Sequence, residues 1–226
     1  MHNNFYFLRQ LSAELGNILK DSVVSECFSQ NKDELIIRFE TRAKSFFIKA
    51  SLRSDFSCLC FPADFNRARK NSIDLFSELI GQKVTGIQQY ENERCFSLIF
   101  SDHYKLLFKL HGNRANLILF HNTEAINLFR NHLTADQEID LNTLNRSIDF
   151  SKEAFLKNQD RLKQHYFTFG KVVWQHLDQQ NFNTLSTDEQ WHQLQDLHQQ
   201  LEKPNYYITL LDDQLVLSMV DQKSVV

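Results

Sequence analysis

A chain of 226 residues with 25 basic and 28 acidic side chains, 42% of it apolar and 12% aromatic, can build one sizeable core or a main domain with a satellite. The aromatic content and a 23% charged fraction exclude disorder, and five Gly with two Pro exclude collagen-like and flexible-linker architectures. No apolar run approaches the roughly 20 residues of a membrane span, and Met1-His2-Asn3-Asn4 does not read as a secretory leader.

Asn4 caps a first helix, with Leu8, Leu11, Leu15, Ile18 and Leu19 at helical spacing. From Ser22 the pattern turns to β-branched and aromatic runs. Val23-Val24, Leu35–Phe39, Phe46–Ile48 and Cys58–Phe61 predict strands, with turns at Asn31-Lys32-Asp33 and Arg42-Ala43-Lys44. Ser72 then caps a short helix through Ile80, stopped by Gly81. Runs at Val84–Tyr90, Cys95–Phe100, Tyr104–Leu110 and Asn116–Phe120 predict an antiparallel meander, turning at Ser101-Asp102-His103 and Gly112-Asn113-Arg114.

After about Asn145 the pattern becomes helical. One helix starts at Ser147 or Ser151 and runs through Leu156 to His165, a second opens at Gly170, and a third runs from Asp188 until Pro204 closes it. Two runs, Tyr206–Leu210 and Leu215–Met219, read as a hairpin turning at Asp212-Asp213. The predicted fold class is α+β: an antiparallel β-rich domain with flanking helices over residues 1–147, a small helical unit over 148–203, and a truncated C-terminal β-hairpin over 204–226.

Charge is distributed unevenly. Residues 38–114 hold 13 basic and 8 acidic side chains, whereas the segments on either side are net acidic. A basic block on an acidic protein suits a local surface for an anionic ligand, or a set of solvated strand faces. Two segments stand out. Arg67, Arg69 and Lys70 precede the predicted helix start at Ser72, where free backbone N–H groups also favour anions. The turn Gly112-Asn113-Arg114-Ala115-Asn116 has residues that tolerate positive φ, and Arg114 projects from it. Arg94, beside Glu93, is either an ion-pair partner or an anion contact.

Enzyme signatures are absent. There is no Gly-rich phosphate loop, nucleophile elbow or His-Glu-x-x-His helix. Cys58-x-Cys60 has the wrong spacing for a zinc knuckle. His103, His111 and His121 sit near strand ends, either converging as a ligand trio or standing as loop histidines, and Glu91, Glu93 and Asp102 are either paired carboxylates or strand-flanking acids. Neither a metal nor a cofactor is expected. The four cysteines, Cys27, Cys58, Cys60 and Cys95, read as reduced and mostly buried thiols, which places the chain in the cytoplasm.

The ordered set resembles a family. An opening helix, strands, Arg69-Lys70 before a short helix, an acid-Arg pair and a Gly-containing turn followed by Asn-Leu-Ile-Leu are similar to the N-terminal module of the NFACT proteins. That family includes RqcH-type ribosome quality-control factors and proteins called fibronectin-binding protein A. The Phe169-Gly170-Lys171 step is similar to the family's helix-hairpin-helix segment.

The resemblance implies a fold related to the N-terminal domain of formamidopyrimidine-DNA glycosylases. It also implies a non-enzymatic RNA-binding module that engages tRNA and a large ribosomal subunit holding peptidyl-tRNA, in support of C-terminal alanine tailing. The family's Asp-Arg pair falls on Glu93 and Arg94, with a longer acid. The implied RNA-binding set is Arg67, Arg69, Lys70, Glu93, Arg94, Gly112, Asn113, Arg114 and Asn116. No membrane contact is expected. The glycosylases' N-terminal proline amine has no counterpart here, so their catalysis does not carry over. Alternatives are a fibronectin-binding surface adhesin and a glycosylase-fold nucleic-acid binder without catalysis. Fibronectin itself is not expected as a partner, because a leader is not seen and the thiols are free.

Overall fold

The computed structural model describes residues 1–211 and 214–221. It is an α+β protein with antiparallel sheets and flanking helices, and its contacts divide the chain into two units. One is Leu8–Asn145; the other combines Met1–Phe7 with residues from Arg146 onward. The first helix, α1 (Phe5–Leu19), begins at Asn4, whose side-chain oxygen accepts the Tyr6 amide at 2.9 Å.

The Leu8–Asn145 unit contains two five-stranded sheets. The first has the order β4 (Ser57–Cys60), β3 (Ser45–Leu52), β2 (Glu34–Glu40), β1 (Val23–Asn31), β5 (Ile73–Asp74). The second has the order β10 (Glu124–Leu128), β9 (Asn116–His121), β8 (Tyr104–Lys109), β7 (Cys95–Phe100), β6 (Val84–Gln89). Each is a chain of antiparallel neighbours, as expected when consecutive apolar runs are joined by short turns. Main-chain hydrogen bonds stitch the sheets together, Val24 N–H to the Gln82 carbonyl at 3.0 Å and Val84 N–H to the Ser22 carbonyl at 2.8 Å. Leu35, Ile37, Ile48, Leu98, Leu106 and Leu119 are fully buried. Phe96 and Phe108, cross-strand partners on β7 and β8, stack with centroids 4.8 Å apart.

Three features differ from the prediction. The helix expected from Ser147 or Ser151 to His165 is interrupted, forming Lys152–Lys157 and Leu162–His165 with a single tight turn at Gln159–Arg161 between them. No helix starts at Ser72: Ile73 and Asp74 instead pair with Ser29 and Phe28 on the edge of β1. Phe76 then takes a left-handed conformation (φ 47°), leaving one helical turn, Ser77–Leu79. The run Glu124–Leu128, too polar to read as a strand, is β10, paired to β9 at the sheet edge.

The other unit is built from α2 (Lys152–Lys157), α3 (Leu162–His165), α4 (Gly170–Gln179), α5 (Thr187–Glu202) and the hairpin of β11 (Tyr207–Leu211) and β12 (Gln214–Ser218). Ser186 and Glu189 form a reciprocal capping box at the start of α5. Gly170 opens α4 at φ +70°, a conformation that penalises a side chain. Its core includes Phe5, Tyr6, Phe155, Tyr166, Trp174 and Trp191. Ile208, Leu210 and Leu215 of the hairpin are exposed. The turn predicted at Asp212-Asp213 and the residues after Asp221 lie outside the described residues.

A buried polar network fixes one end of the second sheet. Lys109 Nζ pairs with Asp136 Oδ1, and the two side chains are only 10% and 4% exposed. Asn116, fully buried, donates from Nδ2 to Asp136 Oδ2 (2.9 Å) and to the Arg130 carbonyl (3.2 Å). Its Oδ1 accepts the Arg130 amide at 2.8 Å. Asp136→Asn, which leaves Lys109 buried without a counter-charge, is expected to cost about 3–5 kcal/mol in urea unfolding. The apolar double replacement Lys109→Met/Asp136→Leu is expected to cost less than that single change.

Candidate functional site

Loops from both sheets collect at one end of the Leu8–Asn145 unit. On the first sheet these are the β1–β2 tip, the β3–β4 connection and the segment entering β5, as the antiparallel registers require. On the second they are the β6–β7 turn, the β8–β9 connection and the chain leaving β10. Arg130, just after β10, joins the two sets. Its Nη2 donates to Asp33 Oδ1 (2.6 Å) at the β1–β2 tip and to the Leu52 carbonyl at the end of β3. Its Nη1 reaches the carbonyls of Asn113 (3.4 Å) and Ala115 (3.3 Å).

The β8–β9 connection is a single tight helical turn, Gly112–Arg114, entered by Gly112 at φ +62°. The Leu110 amide donates to the Arg94 carbonyl at 2.9 Å, so this turn lies against the β6–β7 turn. The structure therefore brings Glu93, Arg94, Gly112, Asn113 and Arg114 together. Asn116 is adjacent in the chain, but its side chain is consumed by the buried network.

The cations fall into two groups. Arg67 is occupied: it pairs with Asp74 (2.8 Å), donates to Ser72 Oγ (2.6 Å) and lies over the Phe28 ring, 4.6 Å from its centroid. Arg69, Lys70, Arg94 and Arg114 are exposed, and among the described residues nothing pairs with their side chains. The 67–70 segment is tied to the β1–β2 hairpin by the Ala68 amide, which donates to Gln30 Oε1 at 3.0 Å. The anion-favouring helix terminus predicted at Ser72 is replaced by a strand edge. Neighbouring acids are partly occupied as well: Asp33 by Arg130, Asp55 by Arg53 (2.6 Å) and Glu34 by Lys49 (2.9 Å).

Sequence reasoning missed Arg130, Lys109 and Asp136. A readable trace existed: Lys109 and Asn116 are polar residues inside otherwise apolar strand runs, where a buried partner is required. His103 and His121 lie at the opposite end of β8 from His111, so the three histidines do not converge. The other unit has an aromatic-lined cavity of about 160 Å³ between Phe150, Tyr166, Phe169, Trp191 and His198.

Burial sets the thiol chemistry. It pushes the Cys27 thiol far up and raises Cys95 to about 12, with the Glu93 carboxylate adding to the effect. Cys58 is raised to about 11, by burial and then by Cys60, whose sulfur lies 3.7 Å away.

No family model and no curated protein sequence matches the chain. Solved structures do. The chain is similar to a fibrinogen-binding protein from Staphylococcus aureus at TM-score 0.75 and 14% identity, covering 99% of this chain and 92% of that one. The N-terminal domain of the fibronectin-binding protein PavA from Streptococcus pneumoniae matches at TM-score 0.63 and 13% identity, over 98% and 91% of the two chains. The N-terminal part of a fibronectin/fibrinogen-binding protein from Streptococcus suis matches at TM-score 0.51 and 18% identity, over 56% and 53%. At these identities the likeness is one of fold. All three neighbours are named for binding and none as an enzyme.

They overturn one expectation. The expectation that fibronectin is not a partner meets a fold that recurs in proteins named for binding fibronectin or fibrinogen. Thiol state and leader bear on compartment, not on what a folded surface holds. Among the described residues no helix is long and apolar enough to cross a membrane.

Arg130→Ala removes charged hydrogen bonds to four groups from a side chain only 11% exposed. The expected loss is about 2–4 kcal/mol in denaturant unfolding, with faster amide exchange at Ala115. In the folded protein at about pH 8, iodoacetamide is expected to modify Cys60 and to spare Cys27 and Cys95, as read by mass spectrometry.

Proposed function

We propose that the chain is a non-catalytic binding module that docks an anionic macromolecule, RNA, on the loop-lined end of its Leu8–Asn145 unit. One observation carries this reading: Arg69, Lys70, Arg94 and Arg114 are exposed and, among the described residues, unpaired on loops at the same end of the two sheets. Cations held on anchored loops suit a phosphate backbone, which is recognised through charge and shape and not through base edges. Arg94 and Arg114 supply planar forks on adjacent turns, and Arg69 and Lys70 extend the positive surface. Glu93 lies beneath this surface, its carboxylate 3.3 Å from His111 Nε2. A role in ribosome-associated quality control is the finer form of this reading, and the sequence resemblance alone supports it.

A second reading is that the module binds fibronectin or fibrinogen. The observation favouring it is the shared fold with proteins named for that property.

The two readings separate in one set of measurements. For RNA, affinity for a structured hairpin is expected to fall with salt at a log–log slope of about −2 to −3.6, from about 0.7–0.9 for each of three or four phosphate contacts. The double variant Arg94→Ala/Arg114→Ala is expected to flatten that slope by about 1.5. A slope near zero, or unchanged binding by the double variant, overturns the RNA reading. Saturable binding to immobilised fibronectin or fibrinogen in the same buffers would support the second.

A further inference from the structure

A metal-ligand set occupies the junction of the β6–β7 turn and the β8–β9 connection. Glu93 lies in the turn, Cys95 is the first residue of β7, and His111 follows β8. One donor atom from each, a carboxylate oxygen, a thiol sulfur and an imidazole nitrogen, lies within 4.8 Å of the other two. The backbone holds them there: Cys95 is the ladder partner of Lys109, and Leu110 N–H donates to the carbonyl of Arg94, the residue between two of the three donors.

A second observation concerns the imidazole. His111 Nε2 is screened from solvent and makes no hydrogen bond, although Glu93 Oε2 is 3.3 Å away. A simple His–Glu pair would align an N–H with that oxygen. Here the two groups lie within ion-pair reach without the alignment of a hydrogen bond. The neighbouring cation, Lys109, is paired with Asp136 instead.

We propose that Glu93, Cys95 and His111 form a site for a borderline-soft divalent metal ion, zinc, whose fourth position is left to water or to a donor from a bound partner. A thiolate, an imidazole and a carboxylate are the donor types zinc takes. Bonds of about 2.0–2.3 Å place tetrahedral ligand atoms about 3.3–3.8 Å apart, so the trio needs to contract by about 1.5 Å at most. Hard ions are disfavoured because two of the three donors are nitrogen and sulfur. On binding, the Cys95 thiol releases its proton to solvent, and the ion's double charge is balanced by one thiolate and one carboxylate. The bound ion would also stiffen the backbone that carries Arg94 and the Gly112–Arg114 turn. The inference does not depend on RNA binding and survives that reading's failure.

The test uses the full chain, stripped with a chelator and titrated with Co²⁺ alone, then with Zn²⁺ in competition. One equivalent of Co²⁺ is expected to give a thiolate charge-transfer band in the near ultraviolet and the visible bands of a tetrahedral ion, both erased by Zn²⁺. Cys95→Ser is expected to abolish the charge-transfer band. His111→Gln and Glu93→Gln, changes at partly exposed side chains that leave the core intact, are each expected to weaken Zn²⁺ binding by about tenfold or more. Cys58→Ser/Cys60→Ser is expected to change nothing. The proposal fails if no stoichiometric uptake occurs, if His111→Gln and Glu93→Gln bind as the parent does, or if uptake is lost with Cys58 and Cys60 instead.

Discussion

A carboxylate withdrawn from water organises the end of the Leu8–Asn145 unit where its loops gather. Asp136 is almost fully buried, and such a charge is tolerable only with a counter-ion and hydrogen bonds to its remaining lone pairs. Lys109 supplies the first and Asn116 the second. Because Asn116 also holds both main-chain polar groups of Arg130, the backbone that carries that guanidinium is fixed as well. Arg130 then reaches the β1–β2 tip, the end of β3 and the Gly112–Arg114 turn. Loops distant in sequence are thus positioned by a polar network whose centre never touches solvent.

Much of the fold is legible in the chain itself. Alternation and turn residues give β1 to β4 and β6 to β9, and the Asn4 cap gives α1. The failures have local causes. Residues 72–80 carry a capping serine and a stop glycine, but Ile73 and Asp74 gain more from β1's open ladder and from Arg67 than from one helical turn. β10 lacks the alternation of a half-buried strand because it is an edge, with Ile126 exposed. Phe5 and Tyr6 pack with residues beyond 146, a pairing across most of the chain that no local pattern encodes.

The candidate site shows the same division. Arg94 and Arg114 are adjacent because a hairpin ladder makes them so, which the meander pattern already implied. Arg67 looks equivalent to Arg69 in sequence, yet Phe28 and Asp74 consume it. Whether this cation faces outward or serves the fold depends in part on Phe28, about forty positions away in the chain. The fold itself is shared with bacterial proteins named for binding fibrinogen or fibronectin, at identities that leave surface charge unconstrained. What distinguishes this chain therefore lies in its loops.

The smallest strand has a wider effect. Ile73 and Asp74 cover one part of the outer ladder of β1, and main-chain bonds from Gly81 to Val84 cover another. The longest strand of the protein, which would otherwise offer a template for another molecule's strand, is closed off by two short stretches of its own chain. Self-association through β1 is thereby discouraged at little structural expense, and a mutation that loosened these few residues would show itself first as a solubility defect.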